Sequence, residues 1–150
     1  MALARPNVGH VGLNVTDVDR SIGFYRQVFG FEVLAEGKED GRRFAFLGTA
    51  DRLVITLWQQ AEDASDPSRA GLHHLSFQVD TVDEVRAAEA TLRDLAVTFR
   101  YDGVVPHGEG ADSGGIFFFD PDGIRLEIFA PSGAGAADAP TAGAPTCGFF

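Results

Sequence analysis

Apolar and polar residues alternate with a period of two in a stretch that occurs twice along the chain. Residues 10–15 read His10-Val11-Gly12-Leu13-Asn14-Val15, and residues 74–79 read His74-Leu75-Ser76-Phe77-Gln78-Val79. Side chains of a strand point alternately to its two faces, so the three apolar residues of each copy share one face. The histidine, the small residue and the amide share the other. Strands are predicted over Val8 to Val15 and His74 to Val79, each with a histidine on its polar face.

Helical spacing follows both strands. Thr16 or Asp17 can cap a helix whose apolar positions Ile22, Phe24 or Tyr25, Val28 and Phe29 recur every three or four residues, and Gly30 ends it. Phe31 to Ala35, Arg43 to Leu47 and Arg52 to Gln59 read as strands, with Gly37 to Gly41 as a polar turn. After a polar linker, Gln60 to Arg69, the order returns. Asp80-Thr81-Val82-Asp83-Glu84 combines a cap with acids in the first turn, and Val85, Ala88, Leu92 and Leu95 form one helical face. Thr98 to Val105 is predicted as the next strand. Gly115 to Asp120 and Ile124 to Ala130 form a hairpin closed by Asp120-Pro121-Asp122-Gly123, a type I turn with a G1 bulge in which Asp120 faces Ile124. Counting outward from that turn sets Phe117 opposite Glu127.

Strand, helix, three strands, repeated once, predicts an α+β fold of two paired βαβββ modules forming a curved mixed sheet around a cleft. One such module cannot bury both faces of its sheet alone. The modules span about 7–60 and 71–131 within one domain, 1–131, and a Gly/Ala/Pro-rich tail covers 132–150. Composition predicts disorder for that tail. Its apolar end, Cys147-Gly148-Phe149-Phe150, is expected to dock its aromatics in an apolar groove if the tail is held.

Charge narrows the partner. With a formal net charge of −10 and no basic stripe, nucleic acid is excluded as a natural partner and a small molecule is expected. No apolar run approaches the roughly 20 residues of a membrane span, the first residues lack the apolar region of a secretory signal, and the lone Cys147 cannot form an internal disulfide. A cytoplasmic protein, away from the membrane, is the expectation.

Chemistry enters with the phase of the last strand. Ile124, Leu126 and Ile128 alternate with Arg125, Glu127 and Phe129, so Glu127 lies in phase with His10 and His74. Two imidazoles and one carboxylate form the ligand set expected for Fe(II) or Mn(II), with positions left open for a substrate. Zinc or nickel also accepts such donors. The side chains placed on the cleft faces, Val54, Thr56, Trp58, Phe117, Phe119, Arg125 and Phe129, are mostly apolar or aromatic, which suits an aromatic or hydrophobic ligand. Phe117, Phe119 and Trp58 read equally as core, and Arg125 either orients a ligand carboxylate or pairs with a nearby acid. His73 shares the phase of Leu75 and Phe77 and reads as a rim residue, although a one-residue bulge would swap it with His74.

The two histidine strands, Ser21-Ile22-Gly23-Phe24-Tyr25 with Phe29-Gly30-Phe31, and Phe119-Asp120-Pro121-Asp122-Gly123-Ile124-Arg125-Leu126-Glu127 together resemble the vicinal oxygen chelate superfamily over residues 7 to about 131. That superfamily groups glyoxalase I, methylmalonyl-CoA epimerase, fosfomycin-resistance transferases, extradiol dioxygenases and bleomycin-resistance binding proteins. The resemblance implies metal ligation by His10, His74 and Glu127. It also implies a dimer, in which the cleft forms within one chain or across two.

Where glyoxalase I carries a fourth ligand, a Glu in the first module, this chain has Thr56, which disfavours proton transfer beside a carbonyl. Fosfomycin transferases hold their phosphonate with basic residues after the final Glu, whereas Arg125 is the last cation here. An extradiol-type dioxygenase is therefore the leading expectation, with His107 as an acid or base beside the ligands. The alternatives are a glyoxalase-like isomerase or lyase, or a non-catalytic drug-binding protein of the bleomycin-resistance kind.

Overall fold

The computed structural model describes residues 5–149. The chain divides into two units, 1–64 and 65–150. The first contains β1 (Val11–Val15), α1 (Val18–Phe29), β2 (Glu32–Glu39), β3 (Arg42–Thr49) and β4 (Arg52–Gln59). The second contains β5 (Leu75–Gln78), α2 (Val82–Asp94), β6 (Val105–Pro106), β7 (Gly114–Phe119) and β8 (Arg125–Ala130). Their sheets have matching orders, β1-β4-β3-β2 and β5-β8-β7-β6. In each, the first strand pairs parallel to the last and the remaining pairs are antiparallel. The α+β class and the repeated βαβββ order agree with the sequence pattern.

In the first unit, Asp17 caps α1 by accepting from the backbone N–H of Arg20, and Gly30 ends the helix with φ of 66°. Thr16 instead accepts from the Arg20 guanidinium at 2.8 Å. Both Phe24 and Tyr25 are buried, because they stand at the centre of the inward face. Leu13 and Val15 of β1, Ala45 and Leu47 of β3, and Ile55 and Leu57 of β4 alternate onto one face and are buried. Burying each of the larger side chains contributes about 1.5–3 kcal/mol relative to exposure.

The second unit repeats the plan with a fuller cap. Thr81 accepts from the Glu84 backbone while the Glu84 carboxylate accepts from the Thr81 backbone, a reciprocal capping box. Val85 and Leu92 of α2 are buried, as are Leu126, Ile128 and Ala130 of β8. The hairpin between β7 and β8 has the predicted register. Phe117 pairs with Glu127, the Asp120 N–H donates to the Ile124 carbonyl, and Gly123 takes φ of 77°. The buried Asp120 carboxylate accepts from the N–H groups of Asp122 and Ile124, which stabilises the turn from within.

Several boundaries differ from the pattern. Residues 8–10 lie outside the ladder, so β1 starts at Val11 and His10 is exposed immediately before it. The turn expected over Gly37 to Gly41 tightens to Asp40-Gly41, where both residues have positive φ and the flanking strands extend to meet it. Between Thr98 and Val105 the expected strand is mostly absent. Residues 98–100 touch β7 through the Phe99–Phe118 bridge and two backbone bonds, and a bend at Gly103 (φ 75°) intervenes before β6. Tyr101-Asp102-Gly103 is turn chemistry that overrides the β-formers on either side. Finally, α2 stops at Asp94 and leaves Leu95 39% exposed rather than on the buried face.

Candidate metal centre

Glu127 is the centre of the second unit's chemistry. It lies on β8 between Leu126 and Ile128, whose side chains point to the helix-covered face, so the strand pleat turns its carboxylate to the opposite face. Only 3% of it is exposed. Its Oε2 lies 3.6 Å from Nε2 of His74, and its Oε1 accepts from Nε2 of His107 at 2.5 Å. His74 stands one residue ahead of β5, whose Leu75 pairs with Leu126. Parallel pairing of β5 with β8 is thus what brings His74 to Glu127.

Both imidazoles are oriented by their second nitrogen. A carboxylate only accepts, so the His107 Nε2 carries hydrogen, and its Nδ1 lies 3.0 Å from the Ser113 hydroxyl. Nδ1 of His74 lies 2.8 Å from Nδ1 of His73. With the hydrogen on His74 Nδ1 in that pair, its Nε2 lone pair is free to ligate. His73, expected on the rim, is exposed and serves as this orienting partner. Burial is the main cause that pushes the His74 pKa below its ordinary 6.5, against the attraction of Glu127. A neutral imidazole is the form a cation needs.

Cys147 completes the group. Ligand atoms of His74, Glu127 and Cys147 all lie within 4.8 Å of one another. Donors on one tetrahedral first-row ion sit about 3.3–3.8 Å apart, given bonds of about 2.0–2.3 Å. The donor types suit a divalent cation, and binding one would draw the most distant of these atoms together by up to about 1 Å. Burial pushes the Cys147 thiol up, as does the nearby Glu127 charge, while Arg125 opposes both. The sequence pattern did not reveal this residue as part of the centre, because it belongs to no periodic element.

Other residues singled out by phase fall around the group or elsewhere. Arg125, 2% exposed, lies 5.6 Å from the Phe117 ring centre. Burial lowers its pKa, with Tyr101 opposing. Tyr101 packs edge-on against Phe117 at 5.7 Å, a neighbour that the predicted strand over Thr98 to Val105 concealed. Phe129 lies tilted against the His107 ring at 5.0 Å, and Phe119 pairs with Arg125 at the end of the hairpin.

Thr56, Trp58 and His10 belong to the first unit. Gly12 pairs with Thr56 and Asn14 with Trp58, which places all four on the face away from α1. The Thr56 hydroxyl accepts from the Trp58 indole at 2.9 Å and is 2% exposed. A Cβ at Gly12 would stand 3.3 Å from that hydroxyl, so the small residue keeps the pair undisturbed. Trp58 itself is 39% exposed and stacks on Phe44 at 5.3 Å. Thr56 thus holds a structural hydrogen bond with Trp58.

Comparisons with known proteins bear on the family and the fold. The model of the Glyoxalase/Bleomycin resistance protein/Dioxygenase superfamily matches residues 7–128. Catechol-2,3-dioxygenase of Bacillus subtilis is 27% identical over 126 residues, covering 83% of this chain, which spans only 41% of that enzyme's length. The trivalent organoarsenical cleaving enzyme of a Bacillus species is 30% identical over 120 residues, 80% of this chain and 70% of that one. Among solved structures, a glyoxylase/bleomycin resistance protein/dioxygenase domain from Frankia superimposes with a TM-score of 0.72 at 29% identity, covering 85% of this chain and 98% of that one. The second unit's donor set, His74, Glu127 and Cys147, is one that could hold a metal ion. With the repeated βαβββ order and the family match in agreement, the chain belongs to the Glyoxalase/Bleomycin resistance protein/Dioxygenase superfamily.

Proposed function

We propose that the protein is a divalent-metal enzyme that binds a small aromatic or hydrophobic substrate through two adjacent oxygens, with extradiol-type ring cleavage as its reaction. The observation that carries this reading is the buried Glu127 carboxylate, with one oxygen facing His74 and the other bonded to His107. His74 and Glu127 would hold the ion. Iron or manganese suits this nitrogen and oxygen set. The ion's contribution is to polarise substrate oxygens and favour their deprotonated form. His107, fixed by Ser113, is placed to take up and return a proton, and Phe119 and Phe129 supply apolar surface for a ring.

Thr56 supports ring cleavage over proton shuttling, since its hydroxyl is engaged by Trp58 and no carboxylate stands there. Elemental analysis of protein purified without added metal is the first test. Iron should be found, followed by oxygen uptake with catechols; manganese would move the assignment to transfer chemistry, and zinc or nickel to the isomerases. Absence of metal after reconstitution would reject the enzyme reading. Light scattering should report a dimer.

A second reading is favoured by the thiol. Trivalent arsenic is soft and binds sulfur, and the arsenical-cleaving relative is 30% identical. An organoarsenical substrate should then be retained on dialysis by the unmodified protein but not after Cys147→Ser; equal retention by both would remove it.

A further inference from the structure

We infer that Cys147 is a ligand of the same ion, delivered by the C-terminal segment acting as a strap, an inference that rests on the metal reading of His74 and Glu127. The segment leaves β8 at Ala130 and is pinned twice within the second unit. Near its start, the Ala134 N–H donates to the Asp112 carbonyl at 2.8 Å and the Gly133 N–H to the Asp112 carboxylate at 3.2 Å. The second anchor is Thr146, which is 1% exposed. Its N–H donates to the His107 carbonyl at 2.9 Å, its hydroxyl donates to the Pro106 carbonyl, and its own carbonyl accepts from the Tyr101 hydroxyl at 2.9 Å.

That anchor adjoins the centre. His107, which receives Thr146 through its backbone, holds Glu127 through its ring. The residue after Thr146 consequently has little freedom, and its sulfur lies within 4.8 Å of the ligand atoms of His74 and Glu127. Gly148, with φ of 52°, donates its N–H back to the Pro145 carbonyl and closes the turn that presents the thiol. Of the terminal aromatics, which the sequence suggested would dock in an apolar groove, Phe149 is 99% exposed in this chain and Phe150 lies outside the described residues. A segment rich in Gly, Ala and Pro has little intrinsic order. Here its buried polar anchor is the residue beside the cysteine.

Ligation replaces the S–H bond with a metal–sulfur bond, and the proton leaves to solvent. A thiolate softens the donor set and shifts preference from Mn(II) toward Fe(II), Co(II) and Zn(II). It also takes a coordination position that a chelating substrate needs, so substrate entry and thiol departure are linked.

Cobalt(II) loading of the full-length protein tests this without any turnover. Visible bands and elemental analysis report occupancy, while a near-ultraviolet sulfur-to-cobalt band reports the thiolate; Cys147 is the sequence's single cysteine, so that band has one source. The unmodified protein should show the band. Cys147→Ser should bind the same amount of cobalt without it and compete better for manganese over zinc, and Thr146→Val should weaken the band at equal occupancy. Full occupancy without the band would overturn the strap's role while leaving the His74 and Glu127 reading intact, as would a band per cobalt that grows with protein concentration. No cobalt bound by either form would overturn both.

Discussion

Glu127 and His107 illustrate how one half-buried hydrogen bond to a carboxylate can organise a site. With one carboxylate oxygen accepting from His107 at 2.5 Å, the other is left to face His74. Partners that orient a metal ligand typically contribute a factor of 10–100 in metal affinity. His107→Ala should therefore weaken metal binding by about 10–100-fold. Glu127→Gln keeps the shape but removes the charge and should weaken binding further, as measured by calorimetric titration. Equal affinities for Glu127→Gln and the unmodified protein would place the ion elsewhere. Circular dichroism should be unchanged for both variants, since neither side chain belongs to the helix-facing core.

Helix ends are the element-scale feature with the sharpest expectations. At the end of α2, the Val97 N–H donates to the Leu92 carbonyl and the Ala96 N–H to the Arg93 carbonyl, the Schellman arrangement. That arrangement needs a left-handed residue, and Ala96 occupies it with φ of 53°. Glycine carries no Cβ penalty there. Ala96→Gly should stabilise the protein by roughly 0.5–1 kcal/mol in urea unfolding, given a left-handed cost of about 1–2 kcal/mol less the greater entropy of unfolded glycine. At the other end, Thr81→Ala removes the capping hydroxyl and should cost about 1 kcal/mol. Destabilisation by Ala96→Gly would show that packing around the methyl outweighs backbone strain.

For the whole molecule, ligand linkage and charge set what can be measured without knowing the substrate. An ion bound only by the folded chain at 100 times its Kd adds about 2.7 kcal/mol of stability. For a chain of 150 residues, that corresponds to a rise in melting temperature of roughly 5–10 °C, reversed by a chelator. No rise with iron, manganese, cobalt or zinc would reject the centre. The acidic surface should also leave duplex DNA unretarded at physiological ionic strength, and retardation would contradict the expected small-molecule partner. Among the described residues, no helix is long and apolar enough to cross a membrane.

The repeat, the helix caps, the hairpin turn and the pairing of Phe117 with Glu127 were all legible in the sequence. Each is decided locally: strand phase by a two-residue period, a cap by one side chain and the turn it closes, a hairpin register by the turn that joins it. Residues 98–104 were misread because turn chemistry at Tyr101-Asp102-Gly103 competes with β-formers on both sides, and propensity alone does not arbitrate. Phase placed Glu127 and His74 on the faces where they stand. Their distance from each other, the bond to His107 twenty residues away, and the arrival of Cys147 on a segment whose Thr146 reaches back 40 residues to Pro106 came only from the tertiary structure. Such contacts have no period and no local signature, because they arise where separately formed elements and a docked strap meet.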